Sequence, residues 1–227
     1  MFTLQAPTIQ IALDFATTDE AIAMARVGLD AGVDLLEIGT PLIVAQGVAA
    51  IGAMVRAYPD HPVLADYKTM DSGGKNVERT AEQGGHFMTV CANAPDETVK
   101  SAIDTARHGE VGVVVDTIGV KDQVARARQC ADWGADMIYL HYGADQRRAD
   151  GGQDSTQWLD DVLAAIAIPV GVGCFDVEDA VRAVRGGADL VCIGHPVISG
   201  EDPLGLLTTF VREVKANHRP RPPRTGA

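Results

Sequence analysis

The chain has 227 residues, 46% of them hydrophobic and only 5% aromatic, enough for one large core of small and medium side chains or two small domains. Its formal net charge of −12 argues against nucleic acid and against an anionic membrane surface, both of which reward clustered Lys and Arg. An anionic metabolite is still admissible, because a local site can be positive in an acidic protein. The cysteines Cys91, Cys130, Cys174 and Cys192 are widely spaced with no C-x-x-C pair, which reads as reduced, buried thiols rather than a disulfide framework or zinc site. There is no signal-peptide pattern and no long apolar span, so a soluble, cytoplasmic protein is expected.

In chain order, short apolar runs fall at residues 9–13, 35–38, 63–65, 87–90, 111–115, 137–140, 169–172 and 190–193. Each reads as a strand buried on both faces. Helical periodicity fills the gaps: Ile22, Ala25 and Leu29 share one face, as do Val177, Ala180, Val181 and Val184. Leu204, Leu207, Phe210, Val211 and Val214 give the last helix its stripe. A repeat is written in Ala31-Gly32-Val33-Asp34, Gln83-Gly84-Gly85-His86, Trp133-Gly134-Ala135-Asp136 and Gly186-Gly187-Ala188-Asp189, its glycines recurring every 50 to 53 residues. Glycine suits the position just past a helix, where positive φ is needed. Eight β–α alternations with four-fold spacing predict an α/β fold, a single-domain (β/α)8 TIM barrel over 1–216, in preference to an open doubly wound sheet. The basic, proline-rich segment 217–227 reads as a disordered tail.

A barrel of this kind carries its chemistry at the C-terminal ends of its strands. Read in order, those ends give Asp14, Glu37, Asp66 with Lys68, Asp116, His141, Gly173 and Gly194. Asp66 and Lys68 are two apart on a strand and should face the same space. A lysine between carboxylates stays protonated and can steady a nearby anion. Two of the acids could bind a hard divalent cation through oxygen, and His141 could move a proton near neutral pH. The glycines ending the seventh and eighth strands suggest backbone contacts to a phosphate.

The blocks Ala12-Leu13-Asp14, Glu37-Ile38-Gly39-Thr40-Pro41-Leu42-Ile43, Asp66-Tyr67-Lys68-Thr69-Met70-Asp71, Val120-Lys121-Asp122 and His141-Tyr142-Gly143-Ala144-Asp145 resemble the orotidylate decarboxylase superfamily, over residues 9 to about 214. Within it the chain looks most like the 3-hexulose-6-phosphate synthase branch. Orotidylate decarboxylases carry lysine in place of Glu37 and need no metal. The 3-keto-L-gulonate-6-phosphate decarboxylases, the alternative reading, tend to differ at Thr40-Pro41 and Thr69-Met70-Asp71 and carry arginine in place of Ala144. The resemblance implies an aldehyde-lyase that joins the phosphorylated ketose D-ribulose 5-phosphate to formaldehyde, reversibly, through an enediolate. It further implies that Glu37 and Asp66 hold Mg2+, or Mn2+ in its stead, and that Lys68 stabilises the enediolate. His141 would transfer protons, Asp14 would bind the sugar and order Lys68, and Gly173, Gly194 and His195 would contact phosphate. Asp71 would reach the neighbouring subunit's site in a homodimer. The chain departs from the pattern at Gly173-Cys174-Phe175, at Gly194-His195-Pro196, and at Arg147, where glutamine is usual.

Overall fold

In a computed structural model describing residues 4–221, the expected strands close into one parallel barrel in sequential order. They are β1 (Thr8–Leu13), β2 (Leu35–Ile38), β3 (Val63–Thr69), β4 (Phe87–Cys91), β5 (Gly112–Asp116), β6 (Met137–Leu140), β7 (Val170–Gly173) and β8 (Leu190–Ile193). The helices outside are α1 (Thr18–Ala31), α2 (Thr40–Gln46), α3 (Ala49–Ala57), α4 (Gly73–Glu82), α5 (Asp96–Ala106), α6 (Gln123–Trp133), α7 (Ala144–Ala149), α8 (Leu159–Ala165), α9 (Val177–Gly186) and α10 (Pro203–Asn217). Closure is direct: Gln10 of β1 lies in register with Leu35 of β2 on one side and Cys192 of β8 on the other. No single helix among the described residues is long and apolar enough to cross a membrane.

The strands separate two cores. Between sheet and helices lies a shell that includes Ile9, Ile11, Leu13, Leu36, Ile38 and Val63, all fully buried. Inside the barrel a smaller cluster comprises Leu35, Leu64, Phe87, Val114, Met137, Leu190 and Cys192. Successive side chains on a strand point to opposite faces, so a strand inside a helical ring is apolar on both. That explains the continuous apolar runs in the sequence.

The four-fold repeat does its work at the floor of the barrel. Gly32, Gly134 and Gly187 end α1, α6 and α9 with φ between 95° and 99°, a region that glycine occupies without the Cβ penalty. Two residues on, Asp34, Asp136 and Asp189 each accept the N–H at or next to the start of the preceding strand, from Ile9 (3.0 Å), Val113 (2.7 Å) and Val170 (2.8 Å). The fourth repeat uses His86, whose Nδ1 accepts the N–H of Val63 at 3.0 Å. Each repeat therefore ties an odd-numbered strand to the next even one with a side chain as well as a backbone bond.

The expected tail boundary at 217 falls on the last residue of α10. Beyond it, the Arg219 N–H donates to the Val184 carbonyl (3.1 Å), and Arg221 pairs with Asp189 (2.6 Å) and donates to the Ile168 carbonyl (3.0 Å). Residues 218–221 thus lie against the floor; the rest of the expected disordered tail lies outside the described residues.

Candidate active site

Alternation along the strands builds the site above the interior cluster. Two residues beyond Leu35, Leu64, Phe87, Val114, Met137 and Leu190 come Glu37, Asp66, Thr89, Asp116, Tyr139 and Cys192, which with Gln10 of β1 make a polar storey. Asp14, Lys68, His141, Gly173, Gly194 and His195 rise around it, and together these residues line one cavity of about 670 Å³. All the strand-end residues singled out from the sequence are here. Asp71 is not: it is exposed beyond β3, its Oδ1 accepting the Ser72 N–H at 2.7 Å.

Lys68 reaches Asp66, but not by plain alternation. The register of β3 against β4 shifts between Ala65 and Thr69, and Lys68 has φ 46°. A non-glycine residue there costs about 1–2 kcal/mol, and its amide is rescued by Thr89 Oγ1 at 2.9 Å. The bulge turns the ammonium onto the Asp66 carboxylate and Thr40 Oγ1, the latter at 3.0 Å. Asp66 also accepts from Thr40 (2.7 Å) and Thr89 (2.7 Å). Burial pushes the Asp66 carboxyl up, but Lys68 and these hydroxyls outweigh it and hold it below its ordinary value. Burial likewise pulls Lys68 down, and Asp66, Glu37 and Asp116 more than restore it, so the ammonium stays charged.

Glu37 is in the opposite condition. Burial, then the charges of Asp66 and Asp14, push its carboxyl up to about 8 against the pull of Lys68 and Gln10. Gln10 Nε2 and Cys192 Sγ (3.3 Å) both donate to its Oε2. Asp14 is raised by burial and by Asp66, with Lys68, His195 and His141 opposing. Gly39 makes the close approach of Asp14 feasible, since a Cβ there would lie 1.9 Å from Oδ1. His141 Nδ1 is 2.8 Å from Asp116 Oδ2, while Asp116 Oδ1 accepts the Ile118 N–H at 2.8 Å. A carboxylate on Nδ1 favours the tautomer with its lone pair on Nε2.

Among the described residues no three His, Cys, Asp or Glu side chains are grouped to hold a metal by themselves. Two oxygen donors, Glu37 and Asp66, face the same cavity, and the Glu37 carboxyl is raised first by burial and then by the charges of Asp66 and Asp14. That donor set fits a hard divalent cation whose remaining ligands come from substrate oxygens and water.

Gln10, Thr89 and Tyr139 belong to none of the motifs in the sequence, and Cys192 reads there as packing alone. All four cysteines are free and buried as expected, but Cys192 also touches Glu37. The available signal was a polar residue inside an apolar strand run, which at Thr89 and Tyr139 comes two residues after a large apolar one. In the β7 loop the amides of Cys174 and Phe175 are already given to the Cys192 carbonyl (2.9 Å) and to Asp179 (3.1 Å).

Residues 7–210 match the orotidine 5'-phosphate decarboxylase / HUMPS family. The chain belongs to this family. Within the family, a 3-hexulose-6-phosphate synthase of Mycobacterium gastri is 33% identical over 199 residues, covering 86% of this chain and 93% of that protein. The same enzyme name belongs to a Bacillus subtilis relative, 31% identical over 196 residues with 86% and 92% covered. The crystal structure of 3-hexulose-6-phosphate synthase from Salmonella typhimurium superposes with a TM-score of 0.87 at 31% identity, covering 93% of this chain and all of that one.

Proposed function

We propose that this protein is an aldehyde-lyase of the 3-hexulose-6-phosphate synthase type, joining D-ribulose 5-phosphate and formaldehyde into D-arabino-hex-3-ulose 6-phosphate, and reversing that reaction. The observation that carries this reading is the bulge that presses Lys68 onto Asp66 in the same cavity as Glu37 and the Asp116–His141 pair. The named relatives support the choice of substrate pair. So does Ala144, which stands where the resembling decarboxylases carry arginine.

His141, oriented by Asp116, takes a proton from C1 of the ketose, and Lys68 donates to the oxygen on which negative charge grows. The enediolate carbon then bonds to the formaldehyde carbon, whose oxygen takes up a proton to become the new hydroxyl. Glu37 and Asp66 would hold Mg2+, which when bound polarises the C2 carbonyl and C3 hydroxyl oxygens. Asp14 binds a sugar hydroxyl and keeps Lys68 in place, while Gly173, Gly194 and His195 receive the phosphate end. Asp71 acts across a homodimer; the exposed apolar side chains of Val44 on α2 (80% exposed) and Met70 beside Asp71 (50%) support a second copy there.

A proton NMR time course with ribulose 5-phosphate in D2O, with and without formaldehyde and Mg2+, tests this. Metal-dependent loss of the C1 proton signal followed by hexulose phosphate is expected. Exchange without condensation would move the substrate to another aldehyde or to a keto sugar acid, and no exchange would remove ribulose 5-phosphate as the substrate.

A further inference from the structure

The helix α7, Ala144–Ala149, buries none of its own residues, yet Ala144, Asp145 and Gln146 line the cavity. Glycines flank it: Gly143 before it, and Gly151 and Gly152 after it with φ 85° and 100°. An element with no apolar anchor between glycines needs another tether to keep a cavity wall in place. Arg147 supplies one. Its Nη1 donates to Asp179 at 2.7 Å, Nη2 lies 3.6 Å from Asp176, and the guanidinium stacks 4.4 Å from the centre of the Phe175 ring. Phe175 is itself a cavity residue in the β7 loop, and its N–H is fixed by the same Asp179.

Asp179 is 2% exposed and is the hub of this arrangement. It also accepts from Arg182, which in turn pairs with Asp154 at 2.6 Å. Removing Arg147 therefore leaves Asp179 with a cation, whereas removing Asp179 would leave the Phe175 amide without its acceptor and take a carboxylate from both arginines, leaving Arg182 with Asp154 and Arg147 with Asp176. That asymmetry makes Arg147 the side chain whose loss loosens the wall without orphaning a buried charge.

We propose that Arg147 is a positioning residue: by pairing with Asp179 and stacking on Phe175, it locks α7 and the β7 loop into one wall of the cavity and so sets substrate affinity rather than the rate of the chemical step. This rests on the sugar-phosphate reading above for the identity of the substrate, but the clamp itself is a statement about two segments of chain. A planar guanidinium pairs and stacks at once, which an ammonium does not.

The test compares wild type, Arg147→Met and Arg147→Lys by amide hydrogen exchange and by steady-state kinetics with ribulose 5-phosphate and formaldehyde. In Arg147→Met, exchange is expected to speed up about tenfold in residues 144–149 and 174–176 and to stay unchanged at the barrel floor. KM for the sugar phosphate should rise about tenfold, with kcat within about twofold of wild type. Arg147→Lys should recover part of both. Unchanged exchange in the two segments would overturn the clamp, and a loss of kcat at constant KM would overturn the assignment to affinity. If wild type fails to turn over this substrate pair, the functional reading falls by itself, and the exchange data still decide the clamp.

Discussion

The two ends of this barrel use the same residue type for opposite purposes. At the floor, Asp34, Asp136 and Asp189 each meet a backbone N–H, and His86 stands in for a fourth aspartate. At the mouth, Asp14, Glu37, Asp66 and Asp116 crowd one cavity with Lys68 as the fixed cation among them, and two of the four are pushed above their ordinary pKa. Floor carboxylates complete bonds that the fold needs; at the mouth, Lys68 and hydroxyls relieve Asp66, while Glu37 and Asp14 carry a cost of burial and of neighbouring charge that their protein partners do not cancel. Stability and chemistry are thus separated along the strand axis by three residues or more, as from Asp34 to Glu37 or from Asp136 to His141, and substitutions at the two ends should separate as well.

The largest effect belongs to Lys68. Lys68→Ala removes the proposed donor to the developing anion and should lower kcat by about 10²–10³-fold or more. Because it also leaves the buried Asp66 without its cation, the thermal midpoint should fall at neutral pH and recover as pH drops and the Asp66 carboxyl takes up a proton. A midpoint loss with kcat unchanged would mean that Lys68 is structural and would erase the contrast between the ends.

Next comes Glu37→Gln, which should abolish turnover and yet stabilise the metal-free fold. The folded-state value of about 8 lies above the ordinary 4.5, so the folded protein binds the extra proton, and wild type loses stability as pH rises through that window. The variant should therefore gain in thermal midpoint over wild type between pH 5 and pH 8.5, and gain nothing near pH 4. A midpoint difference independent of pH would contradict the burial of an ionised Glu37.

At the floor the sign reverses. Asp136→Ala leaves the Val113 N–H without its acceptor and should cost about 1–3 kcal/mol in denaturant melts, with kcat unaffected. Asp136→Asn, which keeps an accepting oxygen, should recover most of that stability.

The smallest expected effect sharpens the repeat itself. Burial lowers the pKa of His86, so its stabilising contribution is present above about 6.5 and is lost as pH falls from there through its folded value. Changing it to the residue used by the other repeats, His86→Asp, should flatten this loss between pH 7 and 5 by on the order of 1 °C in thermal midpoint, the half-exposed ring being partly screened. Identical pH slopes for the two proteins would show that Nδ1 protonation does not matter to the fold.

The chain order of strands and helices, the four-fold repeat and the strand-end acids were all legible in the sequence, because alternation and helical periodicity are local and strand ends in a barrel converge on one mouth. Asp14, Glu37, Asp66, Lys68, Asp116 and His141 were found that way. Which partners each would meet was not legible. Gln10 and Cys192 lie 27 and 155 positions from the Glu37 oxygen they share, and only ring closure brings them together. The left-handed turn at Lys68 depends on a hydroxyl 21 residues away. Arg147 read as an odd substitution in a motif, and its place between Phe175 and Asp179 required the β6 and β7 ends to be neighbours. The sequence by itself determined the fold and the set of reactive groups, since each follows from patterns a few residues long. The tertiary structure decided which carboxylate is charged, which oxygen is already occupied and which loop is clamped, because those properties come from burial and from charges that long-range closure alone puts within a few ångströms.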